Sequence, residues 1–139
     1  MNARRISKWL GFATLSVAAL LVRAGAETAS PTKLDGVLID EKCSANAQSR
    51  IVSGAGDPHL EGGIVWAYTH TRKCAMMPEC QRSGYGIATH DNRFLKFDAA
   101  GNRKAAEMLK ESKKEDDLEI VVTGEVQGDT LKVATLAWQ

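Results

Sequence analysis

The chain has 139 residues, 18 basic against 17 acidic side chains for a formal charge of +1, 44% hydrophobic residues and three cysteines. That length suits one domain with its own core. A balance this close to neutral supplies little net positive charge for binding to nucleic-acid phosphates.

The first residues, Met1-Asn2-Ala3-Arg4-Arg5-Ile6-Ser7-Lys8, are positively charged, and Trp9 to Val22 follow as an uncharged stretch rich in Ala, Leu, Val and Phe. Ala24-Gly25-Ala26 then supplies the small residues of a signal-peptidase site, so residues 1–26 are expected to be a cleaved signal peptide. The apolar run is shorter than the ~20 residues of a spanning helix and ends at Arg23, which disfavours a membrane anchor. Losing Arg4, Arg5, Lys8 and Arg23 leaves 14 basic against 17 acidic residues, about −3 by count. A mildly acidic domain in the periplasm or outside the cell follows, with no membrane association after cleavage and no nucleic-acid partner.

Residues 27–33 are polar, contain Pro31 and are expected to form a flexible arm. Residues 34–139 then make a single domain. Leu34 to Asp40 is short, rich in branched apolar residues and predicted as the first strand. Glu41 to Gly63 holds Cys43, small polar residues and the turn-rich Ser53-Gly54-Ala55-Gly56-Asp57-Pro58, and is predicted as a surface loop. Its glycine spacing is not a dinucleotide fingerprint, because no strand leads into it and Pro58 interrupts any helix that would follow.

Ile64 to Met77 is predicted as a short helix stopped ahead of Pro78. Trp66, His70, Cys74 and Met77 would then share one side of it. Tyr85–His90 and Arg93–Phe97 flank Asp91-Asn92, a tight hairpin turn because Asp and Asn tolerate positive φ. A helix with Asn102 as N-cap, running to about Lys113, shows an apolar face of Ala105, Ala106, Met108 and Leu109. Lys113 to Asp117 reads as a solvated connector. Leu118 to Val126 alternates with period two, and Gln127-Gly128-Asp129 turns the chain into Thr130–Leu136.

The resulting order is strand, cysteine-bearing insert (41–84), strand, strand, helix, strand, strand. The expected fold is therefore mainly β with one or two helices, a five-stranded OB-like barrel with the insert between strands 1 and 2.

The stretch from Val121 to Val133, through Thr123-Gly124-Glu125 and Gly128-Asp129-Thr130, resembles the closing hairpin of small exported bacterial OB-fold proteins. Asp40-Glu41-Lys42-Cys43, His70-Thr71-Arg72-Lys73-Cys74-Ala75-Met76-Met77, Cys80 and Ser83-Gly84-Tyr85-Gly86 together are similar to a family of secreted bacterial proteins whose role is uncharacterised. The resemblance covers nearly all of the chain after residue 26. It implies export and the barrel, and no substrate or catalytic residue.

In an oxidising compartment, three cysteines read first as one disulfide with one thiol left over. Closing Cys43 to Cys74 or Cys80 is worth roughly 3.5 kcal/mol against about 2.5 for the short Cys74–Cys80 ring, a difference too small to fix the pairing. The alternative is a soft-metal site of Cys43, His70, Cys74 and Cys80, the Cys₃His set of a closed tetrahedral zinc centre at non-standard spacing. Met76 and Met77 add thioethers that suit copper(I), although methionines beside a helix end are more often core filler. His59 and His90 are read as surface histidines.

The Cys-x-x-Cys-His of haem attachment and the Cys-x-x-Cys of thioredoxins are both absent. A Cys74–His70 nucleophile has no oxyanion-hole motif beside it, so no enzymatic activity is expected. Tyr85, Phe94 and Phe97 lack the basic groove of a stacking platform, and Trp66 and Trp138 read as packing residues. The functional expectation is an exported, non-enzymatic binding or envelope-stress module, stapled by a disulfide, whose partner is a small ligand or an envelope protein. An extracytoplasmic copper or zinc binder is the alternative.

Overall fold

The computed structural model describes residues 30–52 and 63–139; the expected signal peptide, the Ser53–Pro58 turn and His59 lie outside them. The architecture is mainly β. Strands β1 (Thr32–Asp40), β2 (Tyr85–Thr89), β3 (Phe94–Phe97), β4 (Glu119–Gln127) and β5 (Thr130–Trp138) form one mixed sheet. Hydrogen bonding runs in the order β1-β2-β3-β5-β4 and returns to β1, making a ring. Every pairing is antiparallel except β3 with β5, where Lys96 and Phe97 lie beside Thr130 and Leu131 in parallel.

The alternation of β4 dictates which side faces in: Ile120, Val122 and Gly124 are buried, and Val121, Thr123 and Glu125 between them are partly exposed. Leu95 and Phe97 of β3 and Leu131 and Val133 of β5 supply further inward residues by the same period. Around them Val37, Leu38, Ile39 and Ile87 complete the core. Both hairpin turns follow their local chemistry. Asn92 takes φ 61° in the β2–β3 turn and Gly128 takes φ 63° in the β4–β5 turn.

Five helices, mostly short, occur among the described residues, rather than the expected one or two. Helix α1 (Glu41–Val52), α2 (Gly63–Tyr68), α3 (Arg72–Ala75) and α4 (Pro78–Ser83) fill the connection between β1 and β2, and α5 (Ala99–Glu111) links β3 to β4. β1 begins at Thr32, inside the expected arm, because Thr32 and Lys33 pair with Gly124 and Thr123 of β4. The expected loop from Glu41 is helical at its start. Asp40 ends β1 and caps α1 at once, its Oδ1 accepting from the Cys43 backbone N–H at 2.9 Å, so strand passes into helix with no linker.

The expected helix from Ile64 to Met77 is broken. The Thr69 and His70 N–H groups donate to Trp66 and Ala67, three residues back, and Thr71 is extended and caps a new helix through its side chain. No continuous stripe therefore joins Trp66, His70, Cys74 and Met77.

Asp98, not Asn102, caps α5, with its side chain accepting from the Gly101 N–H at 2.9 Å. Asn102 instead bridges two strands: its Oδ1 accepts from Tyr85 N at 2.6 Å, and its Nδ2 donates to the Phe97 and Asp98 carbonyls at 2.9 and 3.1 Å. Ala105 and Leu109 on α5 are fully buried, with Ala106 and Met108 partly buried beside them. No helix among the described residues is long and apolar enough to cross a membrane.

Candidate metal centre

Among the described residues, three of the four insert helices begin at one place. Cys43 is the third residue of α1, Cys74 the third of α3 and Cys80 the third of α4. Each first turn is set locally. Asp40 caps α1, the Thr71 side chain accepts from the Cys74 N–H at 3.2 Å, and Pro78 opens α4 after the extended Met77, its fixed φ suiting the first helical position. A side chain at the third helical position leans back toward the cap. All three sulfurs are thereby brought to the mouths of their own helices.

One carboxylate oxygen of Asp40 and the sulfurs of Cys43, Cys74 and Cys80 lie within 4.8 Å of one another. The Cys43 and Cys74 sulfurs are 3.7 Å apart. Zinc–thiolate bonds of about 2.3 Å in a tetrahedron separate two sulfurs by about 3.8 Å, whereas a disulfide joins them at about 2.05 Å. The three cysteines are free thiols in this structure. Asp40 and Cys80 are buried, and Cys43 and Cys74 are half-buried.

Behind the donors, His70 Nε2 sits 2.8 Å from Asp40 Oδ2 with both side chains out of solvent. Among the described residues, His70 Nδ1 is the buried side-chain polar atom with no hydrogen-bond partner. Ser83 Oγ approaches Asp40 Oδ1 at 3.5 Å and donates to the Cys80 carbonyl at 2.7 Å. Tyr85 OH donates to the Ala75 carbonyl at 2.9 Å, which seats the end of α3 on β2.

Burial raises the Asp40 pKa, but the His70 hydrogen bond, the Cys43 N–H and the His70 charge outweigh it, and the carboxyl rests below its ordinary value. Burial and then the Asp40 charge push the Cys43 thiol well up, and the same two causes take Cys80 up to about 11. Tyr85 goes up to about 12 through burial, Asp40 and Cys80. The pocket thus concentrates negative potential on the Cys43 and Cys80 thiols, which keep their protons at neutral pH. Such thiols are poor nucleophiles. A cation placed among them would reverse the balance, because a bound metal replaces the thiol protons and neutralises the carboxylate.

Of the residues expected from the sequence, Cys43, Cys74 and Cys80 come together, in a group that also takes in Asp40, and His70 lies beside that group with its Nε2 on the Asp40 carboxylate. Asp40 carried a readable signal that the sequence reading missed. In Asp40-Glu41-Lys42-Cys43 an N-cap side chain and a third-position side chain share one first turn, and Thr71-Arg72-Lys73-Cys74 repeats the spacing. Met76 packs against the core and Met77 is 39% exposed. His90 pairs with Asp35 at 3.1 Å on the exposed side of the ring. Tyr85 and Phe97 are buried in the core, and Phe94, on the other face of β3, is partly buried against it.

No family model, curated protein or solved structure matches the chain, and the site is read from its own chemistry.

Proposed function

We propose that the chain is an exported, non-enzymatic domain that binds a soft metal ion, zinc or copper(I), through Cys43, Cys74, Cys80 and Asp40. The strand ring, read as an OB-like barrel, carries the helical insert that holds the site. The observation that carries this reading is the convergence of four donor atoms within 4.8 Å of one another, delivered by three separate helix starts and the cap of one of them.

Three sulfurs and one oxygen form a closed tetrahedral donor set of the kind zinc accepts, and its thiolates also suit copper(I). A closed set leaves no open position for substrate. The site is accordingly read as structural or as a cargo site, in a domain whose own partner is a small ligand or an envelope protein. His70 orients the carboxylate, as outer partners of metal ligands commonly do.

The disulfide reading keeps one specific observation in its favour: the 3.7 Å between the Cys43 and Cys74 sulfurs, which singles out that pair for a staple with Cys80 left as a thiol.

Metal analysis and intact mass of the protein purified without chelator separate the two. One equivalent of metal with three thiols alkylated only after chelation supports the metal site. A mass deficit of about 2 Da without metal, with one alkylatable cysteine, together with failure of the reduced protein to take up zinc or copper(I), supports the staple and overturns the metal reading.

A further inference from the structure

We propose that the centre is gated by redox state, with Cys43 and Cys74 as the exchanging pair: their oxidation to a disulfide releases the metal ion, and reduction restores the site. This rests on the metal reading above and assigns the regulation of that same site. The structure distinguishes the three sulfurs in two ways. Cys43 and Cys74 are partly open to solvent while Cys80 is 1% exposed, so a dissolved oxidant meets the first two and not the third. Their sulfurs, 3.7 Å apart, need to close by about 1.6 Å to bond.

The scaffold allows that closure. Cys74 lies in the four-residue helix α3, which has the break at Thr69-His70-Thr71 on one side and Met76-Met77 on the other. A helix this short has little cooperative resistance to a small displacement. Once the bond forms, Asp40 and Cys80 are left as two donors, half of what a closed tetrahedral site needs.

The oxidant is a disulfide-bearing molecule, R–S–S–R. One metal-bound cysteine sulfur attacks it, forming a mixed disulfide and expelling one R–S⁻. The second cysteine sulfur attacks the cysteine side of that mixed bond and expels the other R–S⁻. One S–S bond breaks and one forms, and two electrons pass from the cysteine sulfurs to the oxidant. The metal–sulfur electron pairs become the new bond and the leaving thiolates, and the ion departs with its charge unchanged.

The test loads the reduced full chain with zinc, adds oxidised glutathione, and follows released zinc with a chromogenic chelator alongside peptide mapping of alkylated cysteines. The expected result is release of zinc in step with a Cys43–Cys74 disulfide, with Cys80 alkylated as a free thiol, and recapture of zinc on adding dithiothreitol. Zinc that loads but stays bound after the disulfide forms overturns the gate and leaves the metal reading standing. A disulfide that includes Cys80 also overturns the gate. Failure of the reduced chain to load zinc or copper(I) overturns the metal reading itself, and the gate with it. Cys80→Ser supplies a control that does not depend on tight loading: the Cys43–Cys74 bond should still form in it on adding oxidised glutathione, since both sulfurs of the new bond remain. In Cys43→Ser the Cys74 disulfide product should be confined to the mixed species with glutathione.

Discussion

His70 Nε2 lies 2.8 Å from Asp40 Oδ2, and the same carboxylate spends its other oxygen on the Cys43 N–H, so one buried side chain ties the break after α2 to the start of α1. Removing the imidazole leaves a buried carboxylate short of a partner. His70→Ala is therefore expected to cost about 3 kcal/mol of stability. It should also weaken zinc binding by about 10- to 100-fold, the usual effect of losing an outer partner of a metal ligand. Urea titration of the chelated protein reads the first effect and competition with a chelator of known affinity the second. Unchanged zinc affinity in a folded His70→Ala protein would show that His70 does not orient the carboxylate.

The raised thiols set a pH dependence on the alkaline side. Unfolded, Cys80 loses its proton near the ordinary thiol value of about 9; folded, burial and the Asp40 charge delay that to about 11. Between these values the native protein holds a proton that the unfolded chain has lost, so stability falls as pH rises. Cys43, raised by the same causes, adds to the slope in the same direction. Thermal melts of the reduced, metal-free protein should thus lose stability from about pH 9 upward. Zinc-loaded protein should not follow that slope, because its thiols are already deprotonated on the metal. A flat profile for the metal-free protein across this range would contradict the burial of Cys80 beside a charged Asp40.

The sheet was legible in the chain and the site was legible only in part, for reasons that separate by range. Leu118, Ile120 and Val122 announce an inward face by period alone, and Asn92 and Gly128 announce turns by their tolerance of positive φ; each signal is confined to a few neighbouring residues. The start of α1 was obscured because Asp40 belongs to a strand and a helix at once, and a polar, cysteine-bearing run after a strand reads as loop. His70 and Cys74 were read on one helix face because periodicity carried a helix through Thr69-His70-Thr71, whereas Thr71 recaps the chain and turns Cys74 into a first-turn residue. The pairing of Asp40 with Cys74 and Cys80 depends on contacts more than 30 residues apart, which no local pattern encodes.

Asn102 holds β2 and β3 against α5 with three hydrogen bonds, and its side chain is the partner of the Tyr85 N–H. Asn102→Ala leaves that N–H and the Phe97 carbonyl without this partner in a part-buried setting. A loss of about 2 to 3 kcal/mol is expected. Asn102→Asp keeps the acceptor for Tyr85 and forfeits the donor, and should lie between the two. Equilibrium denaturation of the three proteins under reducing conditions checks the order. An Asn102→Ala protein as stable as the parent would mean that water replaces the side chain at little cost.

Gly101 poses a choice between two opposed effects. It lies inside α5, where alanine would ordinarily add up to about 1 kcal/mol through helix propensity. A Cβ there would stand 2.4 Å from Val133 Cγ2 and 2.9 Å from Phe97 Cβ, both on strands against which the helix packs. Val133 is β-branched and nearly buried, so it has little room to turn aside. Overpacking of this kind typically costs about 1 to 3 kcal/mol and outweighs the propensity gain. Gly101→Ala should therefore destabilise by about 1 kcal/mol or more, and the double substitution Gly101→Ala with Val133→Ala should recover part of that loss, because the colliding methyl is gone. A double-mutant cycle by urea denaturation measures the recovery, and strictly additive losses would place the helix farther from β5 than the structure has it.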